Sequence, residues 1–217
     1  MCLALPFVCG GCGQLLGIFA YAVNPTETVK AEYKFPPGTK VLVFPDDRAC
    51  QVDYPPIKRA LADKLNAILV EQKVAASTIS YDQLRDYMDT KPKALGVRAD
   101  EMSISRIGKD LGADMVIYLN INTYSLKETP GDVIWFGKFG CLAKVVEVKP
   151  DVTQSRWVWP DLIGKEVKVQ LPPAENAAEV YGEVICREMA NQLAEKLSLL
   201  FRDHKVDRLR MPEAQPE

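Results

Sequence analysis

Polarity along this chain changes period several times, and each change marks an element. Residues 2–23, CLALPFVCGGCGQLLGIFAYAV, carry no charged side chain, and the first acidic or basic one is Glu27. Residues 24–39 are polar and contain Pro25, Pro36, Pro37 and Gly38, the composition of a linker that ends in a turn. Lys40 to Phe44, KVLVF, is then a continuous apolar run of the kind shown by a central strand buried on both faces. Pro45-Asp46-Asp47 stops it. After Pro55-Pro56, a favourable helix opening, Ile57, Ala60, Leu61, Leu65, Ile68 and Leu69 recur at helical spacing.

A short strand is predicted at Thr78-Ile79, with Ser80 capping a helix that runs to about Met88. Ser103 is the expected cap of a further helix, in which Ile104, Ile107 and Leu111 share a face and Gly112 supplies the left-handed stop. Met115 to Tyr124 alternates: Met115, Ile117, Leu119 and Ile121 point one way, Tyr118, Asn120 and Asn122 the other, as in a half-buried strand. Val133 to Val148 is a second long strand pattern in which Gly137 and Gly140 mark bulges. Arg156 to Trp159 and Lys165 to Leu171 add two more strands. Trp157 and Trp159, two residues apart, share a face and are expected to point inward together, an exposed aromatic edge being the alternative that would mark a partner surface; Trp135, the third tryptophan, lies in the same meander. Ala177 to Phe201 is a long helix with an apolar stripe from Val180 to Leu200.

The predicted order is β-α-β-α-β-β-β-β-α, an α/β class with a mixed β-sheet and helices packed on it. The organisation that follows is a leader at residues 1–23, a linker at 24–39, one α/β domain at 40–201 and a mobile charged tail at 202–217.

The leader decides the compartment. It is long enough to cross a hydrocarbon core, which takes roughly 20 apolar residues as a helix. Pro6 and the glycines at 10, 11, 13 and 17 weaken that helix, however, and Gly10-Gly11 stand where a signal peptidase needs small side chains. Cys12 follows them, as in the bacterial lipoprotein signal, whose cysteine thiol is acylated. The match is partial: Cys9 occupies the usual aliphatic position, no Lys or Arg precedes the run, and the chain stays apolar through Val23. Lipidation at Cys12 and an uncleaved single-span anchor both remain open. Either attaches the chain to a membrane. Cys9 and Cys12 have neither the flanking strand and helix of a redox pair nor two further zinc ligands.

With 217 residues, 47% of them hydrophobic and 26% charged, the chain can build one proper core. Its net charge of −2 comes from 27 basic and 29 acidic residues spread along the sequence, with no basic stripe, which argues against a nucleic-acid partner. Cys50, Cys141 and Cys186 could supply one disulfide, though buried free thiols are the simpler expectation.

Candidate chemistry is sparse. Asp46 and Asp47 end the first apolar strand, the end of an open sheet where ligands bind, and two carboxylates could hold a cation or a small ligand. Aspartate is also a common turn residue, and Asp53 is the other acid nearby. Asp114 is expected to accept backbone N–H groups in its turn. His204, the single histidine, sits in a charged setting and has no second imidazole for a metal site. No phosphate-binding GxxxxGK loop occurs. No catalytic residue, metal or cofactor is assigned.

The leader ending in cysteine, the KVLVF strand, Ile107-Gly108-Lys109-Asp110-Leu111-Gly112-Ala113-Asp114 running into MVIYLNI, the meander and the closing helix together resemble a known superfamily. It comprises the α/β domains of curli-secretion-type lipoproteins, the lipoprotein activators of penicillin-binding proteins, and the N-terminal domain of the Tol-system propeller protein. The resemblance covers about residues 38–201. It implies a non-enzymatic module anchored in the cell envelope, with its domain in the periplasm and an envelope protein as partner. Pore formation is not implied, because no segment suits a secretion pore's membrane strands, and the matching positions are fold positions rather than binding residues.

Overall fold

The computed structural model describes residues 26–95, 99–127, 135–160, 163–172 and 179–207. The leader, with Cys12, lies outside them. In chain order the elements are β1 (Thr26–Val29), β2 (Lys40–Asp46), α1 (Pro56–Glu71), β3 (Ser77–Ile79), α2 (Tyr81–Thr90), α3 (Glu101–Leu111), β4 (Met115–Lys127), β5 (Trp135–Glu147), a 3-10 turn at Val152–Gln154, β6 (Trp157–Trp159), β7 (Lys165–Gln170), α4 (Glu179–Leu199) and β8 (His204–Asp207). A mixed sheet carrying helices agrees with the sequence reading. The observed order adds β1 and β8 at the two ends, and both helices read from the sequence, α2 and α3, stand between β3 and β4, where the condensed order has one. Pro92 follows the last turn of α2 and cannot continue a helix, so the chain must start again at Asp100.

The chain forms two compact units, residues 31–202 and a small unit made from the two chain ends. In the larger one the sheet order is β3-β2-β4-β5-β6, with β7 also paired to β5. β2 runs parallel to β3 and β4. β5 is antiparallel to β4 on one edge, and on the other to β7 along Lys138–Ala143 and to β6 at Val145 and Val146.

Parallel strands need cover on both faces, and two apolar clusters provide it. On one face Val41, Val43, Ile117, Leu119, Phe139 and Val145 pack under α1 and α4 through Leu61, Leu65, Met189, Leu193 and Leu197. On the other, Leu42, Phe44, Val116 and Val146 pack under α2 and α3 through Leu84, Ile104 and Ile107. Each such side chain contributes about 1.5–3 kcal/mol when fully buried. The alternation expected of β4 is present, yet the strand is not half-buried. From Met115 to Leu119 both faces are covered, and only from Asn120 does the second face open.

Local chemistry sets the boundaries. Ser80 and Gln83 form the capping box of α2. Asp100, not Ser103, caps α3: its carboxylate accepts the Ser103 backbone N–H at 2.7 Å, one turn earlier than the sequence suggests. Gly112 ends α3 at φ +74°. Asp114 then accepts the backbone N–H of Lys40 at 2.7 Å, so it ties β4 to β2 rather than closing its own turn. The register of β4 against β5 shifts across Gly137, as expected of a bulge there, and also opposite Gly140, where the extra residue is Asn122 of β4 rather than the glycine. A register shift between Val145 and Val146 also separates the two tryptophans of β6: Trp159 joins the α1/α4 cluster and Trp157 the α2/α3 cluster, not one face together. Cys50 is half-buried, Cys141 and Cys186 are buried, and all three are free thiols.

In the smaller unit β1 pairs antiparallel with β8, from Thr26 opposite Asp207 to Val29 opposite His204. These residues belong to segments the sequence marks as linker and mobile tail. Polar strands whose pairing partner lies at the far end of the chain leave no local signal, which is why their pairing was not expected.

Gly108 is where α3 meets the sheet: a Cβ there would lie 2.7 Å from Val116 Cγ2 and 2.8 Å from Val148 Cγ2. Gly108→Ala is therefore expected to destabilise the domain by about 1–3 kcal/mol through overpacking, despite alanine's better helix propensity. A lowered urea unfolding midpoint at unchanged slope would report it.

Candidate functional site: a cleft at the carboxyl end of β2

Strand alternation sends the two candidate carboxylates in different directions. Phe44 and Asp46 are two residues apart and stand opposite Tyr118 and Asn120 of β4, so Asp46 shares their face. Asp47 turns the other way and pairs with Lys58 of α1 at 2.9 Å. The structure thus gives each its own cation. Asp53, the third acid of the segment, accepts from the Gln51 side chain at 3.1 Å.

Asp46 is 5% exposed. Tyr118 donates its hydroxyl to Oδ2 at 2.5 Å, and Arg48 Nε lies 3.1 Å from Oδ1 and 3.0 Å from Oδ2. Arg48 Nη2 adds an ion pair at 3.0 Å, and the Arg48 backbone N–H donates to Oδ1 at 3.2 Å. Burial, and then the hydrogen bond to the Asp46 carboxylate, push the Tyr118 phenol well above its ordinary pKa. It stays a neutral donor. Phe44 meets the Tyr118 ring edge to face at a 5.8 Å centroid distance, and Trp157 lies 5.9 Å from it.

Beyond this cluster the α2/α3 layer ends and the sheet face opens into a cleft of about 330 Å³. Its floor is two cross-strand pairs, Tyr118 opposite Lys144 and Asn120 opposite Leu142, with Trp157 beside them. Asp46, Arg48, Ala49 and Ala99 form one wall, and Ile163, 79% exposed, stands at the rim. Lys144 Nζ sits 4.7 Å from the centre of the Trp157 ring.

The two buried thiols are shielded. Burial pushes the Cys141 thiol up to about 12 and also raises Cys186, whose Sγ lies 3.5 Å from the Tyr124 hydroxyl. Neither supplies thiolate at neutral pH. Among the described residues no group of three or more His, Cys, Asp or Glu side chains is placed to hold a metal. His204 lies on β8, outside the cleft.

Of the cleft residues, the sequence singles out only Asp46 as a ligand-binding candidate. Arg48, Tyr118, Asn120, Lys144 and Trp157 had to be assembled by pairing across β2, β4, β5 and β6. A partial signal existed, since the alternation of MVIYLNI already puts Tyr118 and Asn120 on one face.

No protein-family model matches the chain, and no curated protein is significantly similar to it. Solved structures with a similar fold include lipoprotein GNA1162 from Neisseria meningitidis, at 10% identity and a TM-score of 0.42, covering 72% of this chain and 99% of that one. The PelC dodecamer from Paraburkholderia phytofirmans is similar at 9% identity and a TM-score of 0.43, with coverages of 82% and 98%. The LpoB C-terminal domain from Salmonella enterica is similar at 13% identity and a TM-score of 0.34, with coverages of 63% and 84%. At such identities and TM-scores the likeness carries no argument, and function has to be argued from this chain's own residues.

Asp46→Asn should cost about 2 kcal/mol, less than the 3–5 kcal/mol of a fully buried pair because Arg48 can rehydrate. Asp47→Asn, which breaks a partly exposed pair, should cost below about 1 kcal/mol. Urea midpoints of the two variants compare them directly.

Proposed function

We propose that this chain is an envelope lipoprotein, tethered to the membrane through Cys12, whose α/β domain acts on an envelope protein by contact rather than by catalysis. The observation that carries this reading is the uncharged run of residues 2–23 with Gly10-Gly11 directly before Cys12. The fold adds support, because the carboxylate best placed for acid–base work, Asp46, is held by Arg48 and Tyr118 as a fixed element of the domain. The lipid on Cys12, together with the apolar residues retained after it, would supply the membrane anchor. On this reading the domain is periplasmic.

A second reading, a domain that binds a small ligand at the carboxyl end of β2, is favoured by the cleft beside Asp46. Asp47 stands apart from it, on Lys58.

Labelled palmitate is expected to enter the wild-type chain and not Cys12→Ser in the native host. Equal labelling of both, or of neither, contradicts the tether.

A further inference from the structure

The second reading leaves the ligand's charge open, and the cleft supplies it. Two carboxylates ending a strand suggest a cation, but the structure reverses the sign. Asp47 points elsewhere and Asp46 is already satisfied by Arg48 and Tyr118. The cleft's described lining then holds two cations, Arg48 and Lys144, against one carboxylate.

Lys144 is the informative residue. Of the lysines in the same sheet region, Lys149 meets Glu147, Lys165 meets Glu32 and Lys168 meets Glu166, whereas Lys138, outside the cleft lining, rests on the Phe136 ring. Lys144 meets none among the described residues, and its ammonium rests only on the Trp157 ring. Beside it the half-buried Asn120 carboxamide has no hydrogen-bond partner among the described residues. Apolar surface borders both: Leu142 and Trp157 are half-buried, and Ile163 projects from the rim. A volume of about 330 Å³ lies at the small end of ligand pockets, which span roughly 300–1,000 Å³.

We infer that this cleft binds a small organic carboxylate with an apolar side group, the anion on Lys144 and Asn120 and the apolar group against Trp157, Leu142 and Ile163. The ammonium gains a charge-assisted hydrogen bond in place of water, and the carboxamide gains a partner for its N–H. The site is open, so the binding is weak and salt-sensitive.

The inference rests on the second reading above, and one titration separates the two. The domain is titrated to millimolar N-acetylphenylalanine and, separately, to the uncharged N-acetylphenylalaninamide, with amide and indole N–H shifts followed by NMR. The acid should shift Asn120, Lys144 and the Trp157 indole saturably, and bind about tenfold more tightly than the amide, about 1.4 kcal/mol. Lys144→Gln should reduce the acid to the level of the amide, while Lys144→Arg keeps the preference; unchanged thermal unfolding shows that each variant is folded. Asn120→Ala, which leaves the charge in place, should weaken the acid by a smaller factor and serves if Lys144→Gln does not fold. Equal binding of acid and amide overturns the assigned charge and leaves a ligand cleft. No localised shift with either overturns the ligand reading itself.

Discussion

The parallel pairing of β2 with β4 is the constraint from which the rest of the domain follows. Val41 to Asp46 lies in register with Met115 to Asn120, and up to Leu119 neither strand leaves a face to water. One face is closed by the long helices α1 and α4, the other by the shorter α2 and α3. The two layers do not end at the same place. Where the shorter layer stops, β4 and β5 continue, and the face carrying Tyr118, Asn120, Leu142 and Lys144 becomes the floor of the cleft.

The same alternation decides the fate of the carboxylates. Moving a carboxylate out of water costs several kcal/mol unless charge and hydrogen bonds replace the solvent. Asp46 faces inward and is surrounded by donors, namely the Arg48 guanidinium and backbone N–H and the Tyr118 hydroxyl. Asp47, one residue on, needs only the partly exposed Lys58. A dipeptide that looks like a two-carboxylate site is therefore one structural ion-pair cluster and one ordinary surface pair. The positive charge left in the cleft comes from Lys144 on β5, two strand pairings across the sheet from β2.

Much of the fold was legible because its signals are local. KVLVF announces a doubly covered strand, Ser80 and Gln83 sit at capping distance, and Gly112 marks a left-handed stop. What was missed depends on distant pairing or on competition between neighbours. Asp100 outcompetes Ser103 as a cap, since its carboxylate reaches the Ser103 N–H from the N-cap position. The shift at Val145 and Val146 turns Trp157 away from Trp159. β1 and β8 read as linker and tail because each is short and polar, and each has its partner at the opposite chain end. The cleft shares that origin: its residues come from four strands and the loops beside them, and no window of sequence contains them all.

The functional account joins a domain held together by its own ion pairs to a leader that points to a membrane. Its central claim is the covalent state of the N-terminus. Intact mass and N-terminal peptide analysis of the protein purified from its native membrane fraction tests that claim most directly. The account predicts a chain that begins at Cys12 and carries added acyl mass. An unmodified chain retaining residues 2–11 would contradict it.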